Sequence, residues 1–383
     1  MTDTSPRHYL IATGTRADWG LLSPLARRLR RDGNSVTVAA TNMHLMQRYG
    51  MTVSEIEADG FTPLRVPAEG NPAQICAAVT AGFDAVMEQT RYDAVVILGD
   101  RYEMLAVAQA AVLRGVPVIH IAGGAVSFGA YDDGFRHAIT KLSTLHLTET
   151  DDYRRRILQL GEDPAAVVTT GAIGLLQLAD TADLMSRTEL EASLGFDITP
   201  GSLLVTLHPA TLSPLSPHRQ MLELLDALDR FPENQILFTY PNNDHGGAEM
   251  IALIEEYSAG RPGRVHVVPS LGHRRYLSAL QYVAAVVGNS SSGLVEVPSA
   301  GIPTLDIGCR QEGRTAGPSV VHCGETAEEI ACGLGTVLSP QMRETAARRE
   351  NPYFRADVLE RMARAIADFD FKPYPVKRFN DIR

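Results

Sequence analysis

A chain of 383 residues exceeds what one ordinary core can hold, so two domains are expected. Its 45% hydrophobic and 21% charged content excludes a disordered chain. The net charge of -10 excludes a nucleic-acid partner, because no basic excess exists to displace phosphate counterions, and an anionic ligand would need locally placed arginines.

In chain order, apolar runs rich in Val, Ile and Leu fall at 9–13, 36–40, 94–98, 116–121 and 167–170, with helix-length segments at 21–31, 73–89 and 103–114 among them. The pattern pauses over 171–200 and restarts with runs at 203–207, 235–239, 264–268, 283–287 and 303–307; residues 357–371 read as a closing helix. Continuous rather than alternating apolarity marks strands buried on both faces, hence parallel sheets with helical crossovers. The fold class is therefore α/β, with two Rossmann-like doubly wound domains and a ligand cleft between them. The expected divisions are 1–175, 176–355, and a closing helix and tail at 356–383 that packs back onto either domain.

Cys76, Cys309, Cys323 and Cys332 show no metal-ligand or redox spacing, so they read as unpaired thiols in a reducing cytoplasm. Residues 1–7 are polar, unlike a signal peptide. No apolar stretch approaches the roughly 20 residues of a membrane span. The expectation is a soluble cytoplasmic protein without a membrane partner.

Ligands of open α/β sheets sit beyond the carboxyl ends of the strands. There the chain carries Gly14-Thr15-Arg16, Gly99-Asp100-Arg101, Gly123-Gly124, His208-Pro209, Pro241-Asn242-Asn243-Asp244 and Gly308-Cys309-Arg310. The most informative stretch is Gly288-Asn289-Ser290-Ser291-Ser292-Gly293-Leu294-Val295-Glu296, between an apolar run and a helix-compatible segment. Such a turn offers free backbone N–H groups, serine hydroxyls and a positive helix end to a phosphate, with Glu296 one turn on for a sugar diol. Three serines flanked by glycines exceed what helix capping requires.

Arg16, Arg101, Arg310 and Arg314 are candidates for charge-assisted contacts to a diphosphate, with a solvated surface role as the alternative for Arg314. Asp100, at the end of an apolar strand, reads either as a general acid or base or as an N-cap, and Asp132 and Asp133 carry the same two readings. His208 reads as a phosphate donor, a proton shuttle or a structural residue. His120 and His146 read as structural. Gly123-Gly124 permits close approach of a ligand or makes a tight turn. Gly14 to Asp18 lacks the three-glycine spacing of a dinucleotide site, so no nicotinamide cofactor is expected.

Taken in order, these motifs resemble the hydrolysing UDP-N-acetylglucosamine 2-epimerase family nearly end to end. The matching set is Gly14-Thr15-Arg16-Ala17-Asp18, Gly99-Asp100-Arg101, Asp132-Asp133 with Arg136-His137-Ala138-Ile139-Thr140-Lys141, His208-Pro209, Pro241-Asn242, the 288–296 turn, and Gly308 with Arg310-Gln311 and Gly313-Arg314. The resemblance implies a glycosyltransferase-B-like pair of domains with the closing helix crossing back to the first, a nucleotide-sugar substrate, no metal, no cofactor and a homo-oligomer. It implies elimination of UDP across C1–C2, then hydration of the glycal to N-acetylmannosamine or a related sugar. It assigns Ser290, Ser291, Arg16 and Arg310 to the diphosphate, with Ser292 and Gly293 in the same turn, and Glu296 to the ribose. Arg101, His208 and Asn242 match further ligand contacts, and Asp100 and Asp132 match acid/base carboxylates.

One departure bears on the chemistry. The family carries a glutamate at the position of Ala122 or Ala125; here both are alanine, and no acid lies between Glu103 and Asp132. Losing a general acid or base lowers a rate by about 10²–10⁴-fold. Either Glu103, Asp132 or Asp133 takes the role, or the chain hydrolyses its substrate without inverting C2, stops at the glycal, or only senses the nucleotide sugar. Smaller departures are Gly20, where relatives carry serine, and Cys309, in place of a polar residue.

Overall fold

The computed structural model describes residues 5–128, 131–179, 184–210, 213–242, 246–372 and 377–381. The chain divides into two compact units, one of Met1–Ala125, Tyr131–Ile173 and Arg355–Arg383, the other of Val126–Ala130 and Gly174–Phe354.

The first unit holds β1 (His8–Thr13), β2 (Ser35–Thr41), β3 (Leu64–Val66), β4 (Ala94–Leu98), β5 (Val118–Ile121), β6 (Leu145–Thr148) and β7 (Val167–Thr169). They form one parallel sheet in the order β3-β2-β1-β4-β5-β6-β7. The second holds β8 (Leu203–Thr206), β9 (Ile236–Thr239), β10 (Val265–Val268), β11 (Ala285–Gly288), β12 (Thr304–Ile307) and β13 (Val320–Cys323), ordered β10-β9-β8-β11-β12-β13. Both are doubly wound sheets whose chain direction switches between the first and fourth strands, at β1/β4 and β8/β11, where crevices form.

Burial on both faces explains the continuous apolar runs. In the second unit Leu203, Val205, Phe238, Val287 and Ile307 join one core while Leu204, Leu237 and Val286 join another on the opposite face. Each such fully buried aliphatic side chain contributes about 1.5–3 kcal/mol. Three strands lie outside the predicted runs: β3, β6 and β13. The first is a three-residue edge strand, and polar His146 and His322 interrupt the other two.

The first helix, Arg16–Arg31, starts well before the predicted residue 21 because Thr15 and Asp18 form a capping box. The closing helix, Val358–Asp368, buries Val358, Met362, Ala363 and Ile366, the stripe that helical spacing puts on one face. It is fastened by Arg28 Nη1 to Glu360 Oε2 at 2.7 Å and by Arg7 Nη1 donating to the Ile366 carbonyl at 2.8 Å. Among the described residues, no helix is long and apolar enough to cross a membrane.

Candidate functional site

At the carboxyl edge of the first sheet, Asp100 follows β4, and the helix Asp132–Leu142 begins with Asp132 and Asp133. Arg136, one turn into that helix, is only 1% exposed; its Nη2 pairs with Asp100, while its Nη1 donates to Asp133 Oδ1 at 3.2 Å and to the Ala125 carbonyl at 3.1 Å. A buried guanidinium thus fixes two carboxylates, one just after β4 and one from the first turn of the helix, where Asp132 is the preceding residue. Capping does not account for Asp100, since the N-cap of the next helix is Arg101. Nor is Asp132 or Asp133 an N-cap, that position being Tyr131.

His120 is structural, as expected. Its Nε2 lies 2.8 Å from the Gly99 carbonyl, which can only accept, so Nε2 carries the proton and Nδ1 faces Thr140 Oγ1 at 3.3 Å. His146 departs from the satisfied residue expected: Nε2 meets Glu162 Oε2 at 3.1 Å, but buried Nδ1 has no partner among the described residues.

The turn after β5 has no acid. Ala122 sits at φ 64°, a left-handed backbone that only a well-determined surrounding sustains. A Cβ on Gly123 would stand 2.7 Å from His120 Nδ1, and one on Gly124 2.4 Å from the Tyr153 carbonyl. Both glycines are therefore required by packing, which favours the tight-turn reading.

Glu103 is fully buried. Its Oε1 accepts from Asn42 Nδ2 at 3.0 Å and Arg101 Nε at 2.5 Å, and its Oε2 has no partner among the described residues. Enclosed in this way it orients Arg101; it does not reach out to replace the missing glutamate. Burial pushes the Asp18 carboxyl up to about 6 against the pull of Arg101. Arg16 pairs with Glu55 at 3.1 Å with its side chain 58% exposed. Of the predicted nucleotide contacts, Arg16 and Arg101 belong to the first unit and the others to the second.

In the second unit Asn289 and His208 together link four strand ends. Asn289 Oδ1 accepts from the His208 N–H at 2.7 Å while its Nδ2 donates to the His208 carbonyl at 2.8 Å. The Asn289 carbonyl accepts from Arg310 Nη1 at 3.2 Å and Gln311 Nε2 at 2.9 Å. His208 Nδ1 in turn accepts from the Asn242 N–H at 2.9 Å. Nε2 of His208 therefore carries the proton, and burial, helped by Arg310, lowers its pKa to about 3. A neutral donor replaces the proton shuttle as the reading of His208 here. Asn243 and Asp244 lie outside the described residues.

Beyond the 288–296 turn the chain departs from expectation. Instead of one helix there are two single turns, Ser292–Val295 and Val297–Ala300, the second opened by Pro298. A long helix dipole is absent, so local N–H groups must do the work of anion binding. Those of Ser290 and Ser291 have no acceptor among the described residues. The Ser292 hydroxyl pairs with Tyr276, and burial raises the carboxyl of half-buried Glu296. Arg314 is half-buried rather than fully solvated, and its Nε and Nη2 donate to Ser127 Oγ at 3.2 and 3.1 Å.

Gly288 ends β11 at φ 138°, and a Cβ there would stand 1.8 Å from the Thr206 carbonyl oxygen. Gly288→Ala must part β8 from β11, so it is expected to lower stability by more than the about 1–3 kcal/mol of backbone strain alone. A melting temperature equal to wild type would contradict this packing.

Burial also holds His44 at about 4 and His120 at about 3, and lowers His137 and His146. With His208, these groups bind protons less readily in the folded chain than in the unfolded one, where their ordinary value is 6.5. The unfolded state then binds more protons, so stability falls as pH drops below 6.5. Asp18, Glu296 and Asp306, raised by burial, and His322, raised by its bond to Asp306, oppose this as four groups against five. The melting temperature is expected to decline from pH 7 to 5; a level profile would mean that the folded chain accepts those protons.

A sequence model of the UDP-N-acetylglucosamine 2-epimerase family matches residues 27–367. A polysialic acid biosynthesis protein of Escherichia coli is 34% identical, covering 97% of each chain. A GDP/UDP-N,N'-diacetylbacillosamine 2-epimerase (hydrolyzing) of Campylobacter jejuni is 33% identical, covering 83% of this chain and 84% of its own. Among solved structures, the fold is shared with a UDP-GlcNAc 2-epimerase from Neisseria meningitidis bound to UDP-GlcNAc, at TM-score 0.81 and 18% identity, over 94% of this chain and 99% of that one. The match across nearly the whole length shows that the chain belongs to the UDP-N-acetylglucosamine 2-epimerase family.

Proposed function

We propose that this chain is a hydrolysing nucleotide-sugar 2-epimerase acting on UDP-N-acetylglucosamine or a related UDP-linked aminosugar. The observation that carries the reading is the fastening of His208, Asn242 and Arg310 around Asn289, beside the open N–H groups of Ser290 and Ser291. In this reading that turn, with Ser292, Gly293 and Arg310, holds the diphosphate, and Glu296 takes the ribose diol. Arg16 and Arg101 are the first unit's nucleotide contacts. His208, neutral, donates a hydrogen bond from its Nε2–H to the departing phosphate oxygen.

Asp100 and Asp132 move protons on the sugar. One takes the proton from C2 as the C1–O bond breaks, its electron pair leaving with UDP to give a glycal. Water then returns a hydroxyl to C1 and a proton to the opposite face of C2. Turnover of UDP-N-acetylglucosamine in deuterated water tests this: deuterium at C2 of released N-acetylmannosamine is expected. Failure to release UDP from any nucleotide-linked aminosugar would overturn it. Cytoplasmic location belongs to the same reading and suits four free cysteines. So does a homo-oligomer, which sedimentation would detect.

A second reading rests on Ala122 and Ala125, which leave the turn after β5 without a carboxylate. The chain then hydrolyses its substrate without epimerising it or releases the glycal. Retained configuration at C2, or an unsaturated sugar, would favour this reading. Ala125→Glu would convert such an enzyme toward the epimerised product.

A further inference from the structure

Far along the chain from the candidate site, Lys377 is half-buried against the helix that begins with Asp132. Its Nζ donates to the Thr140 and Lys141 carbonyls, each at 3.0 Å, and pairs with Glu162. These carbonyls belong to the last helical turn and carry the negative end of the dipole; that of Thr140 also accepts from the Ser143 N–H at 3.1 Å. An ammonium there meets both.

The attachment is built. Glu162 is 1% exposed and also binds Lys141 Nζ at 2.7 Å and His146 Nε2 at 3.1 Å, while Lys141 donates to the Leu160 carbonyl at 2.8 Å. The Asn380 N–H donates to the Gly161 carbonyl at 2.9 Å. The Phe379 ring lies on Gly161, where a Cβ would stand 2.5 Å from it, and under Lys141 Nζ at 4.9 Å from its centroid.

From the clamped turn the path to the carboxylates is continuous. Thr140 Oγ1 donates to the Arg136 carbonyl at 3.0 Å and faces His120, whose Nε2 holds the Gly99 carbonyl next to Asp100. Arg136 itself pairs with Asp100. We propose that Lys377 is a positioning residue: residues 377–381 form a strap that fixes the last turn of Asp132–Leu142 and so sets Asp132, Arg136 and Asp100 in register. This rests on the reading that Asp100 and Asp132 move the protons.

The charged groups facing Lys377 are Glu162 and Lys141, with neutral His146 beside them. Burial, partly offset by Glu162, holds the Lys377 ammonium at about 8. Above that pH it loses the proton that makes it a third donor and a counter-charge, so turnover is expected to fall as pH rises through about 8.

The test uses the full chain with Lys377→Met, which keeps the stem and removes the donors, and Lys377→Arg, which keeps charge and donors at all working pH. Expected for Lys377→Met are faster amide exchange over 132–142 and a kcat about 10–100-fold lower, the usual consequence of small misplacement. UDP affinity by calorimetry should not change. Lys377→Arg should recover most of the rate and lose the alkaline fall. An unchanged kcat in Lys377→Met, or unchanged exchange in that helix, overturns the proposal. If Lys377→Met does not fold, Phe379→Ala, which loosens the strap at an exposed ring, takes its place. Absence of turnover in wild type would sink the functional reading instead, and the strap is then decided by exchange alone.

Discussion

Asp100→Asn is expected to lower turnover by about 10²–10⁴-fold, the usual worth of a general acid or base, with UDP affinity unchanged. Asparagine keeps the shape of the side chain and loses the group that carries a proton. Arg136 retains Asp133 Oδ1 and the Ala125 carbonyl, so the helix stays seated and the loss is chemical. The proposed UDP contacts of the second unit are untouched. Initial rates and calorimetry on one preparation decide the matter: a near-wild-type kcat removes Asp100 from proton transfer.

The double variant Asp100→Asn/Asp133→Asn is expected to lose about 3–5 kcal/mol of stability, the cost of stranding a buried charge. The guanidinium is 1% exposed and cannot turn to water, whereas the side chains of Asp100 and Asp133 are 23% and 27% exposed and can. Arg136→Met is therefore expected to be the milder change, since it leaves two carboxylates with access to solvent and fills the buried path with an apolar chain. Denaturant midpoints give the order; a less stable Arg136→Met would mean that the carboxylates, not the arginine, are the trapped charges.

Much of the fold was legible because a strand buried on both faces is apolar throughout, as β4 is. The strands that escaped notice carry a polar residue for a local reason: His146 in β6 meets Glu162, and His322 in β13 meets Asp306 at 2.8 Å. At the second sheet's edge the glycine-serine turn is plain in the sequence, and Pro298, which cannot continue a helix, is the sign that no long one comes after it. At the first sheet's edge, the carboxylates were visible and their organiser was not. An arginine is normally a surface residue, and nothing in its neighbours along the chain reveals that Arg136 is enclosed. Asn42, in a left-handed backbone at φ 48° and bonded to Glu103, was equally silent, because its partner lies 61 positions away.

Asn289 uses both ends of one amide on the main chain of His208, and its own carbonyl is gripped twice more. Three strand ends are thereby tied together before any guest arrives, and the His208 ring adds a fourth through the Asn242 N–H. Little ordering entropy remains to be lost on encounter, so affinity in this half of the molecule is governed by how well an incoming anion matches a preset mould.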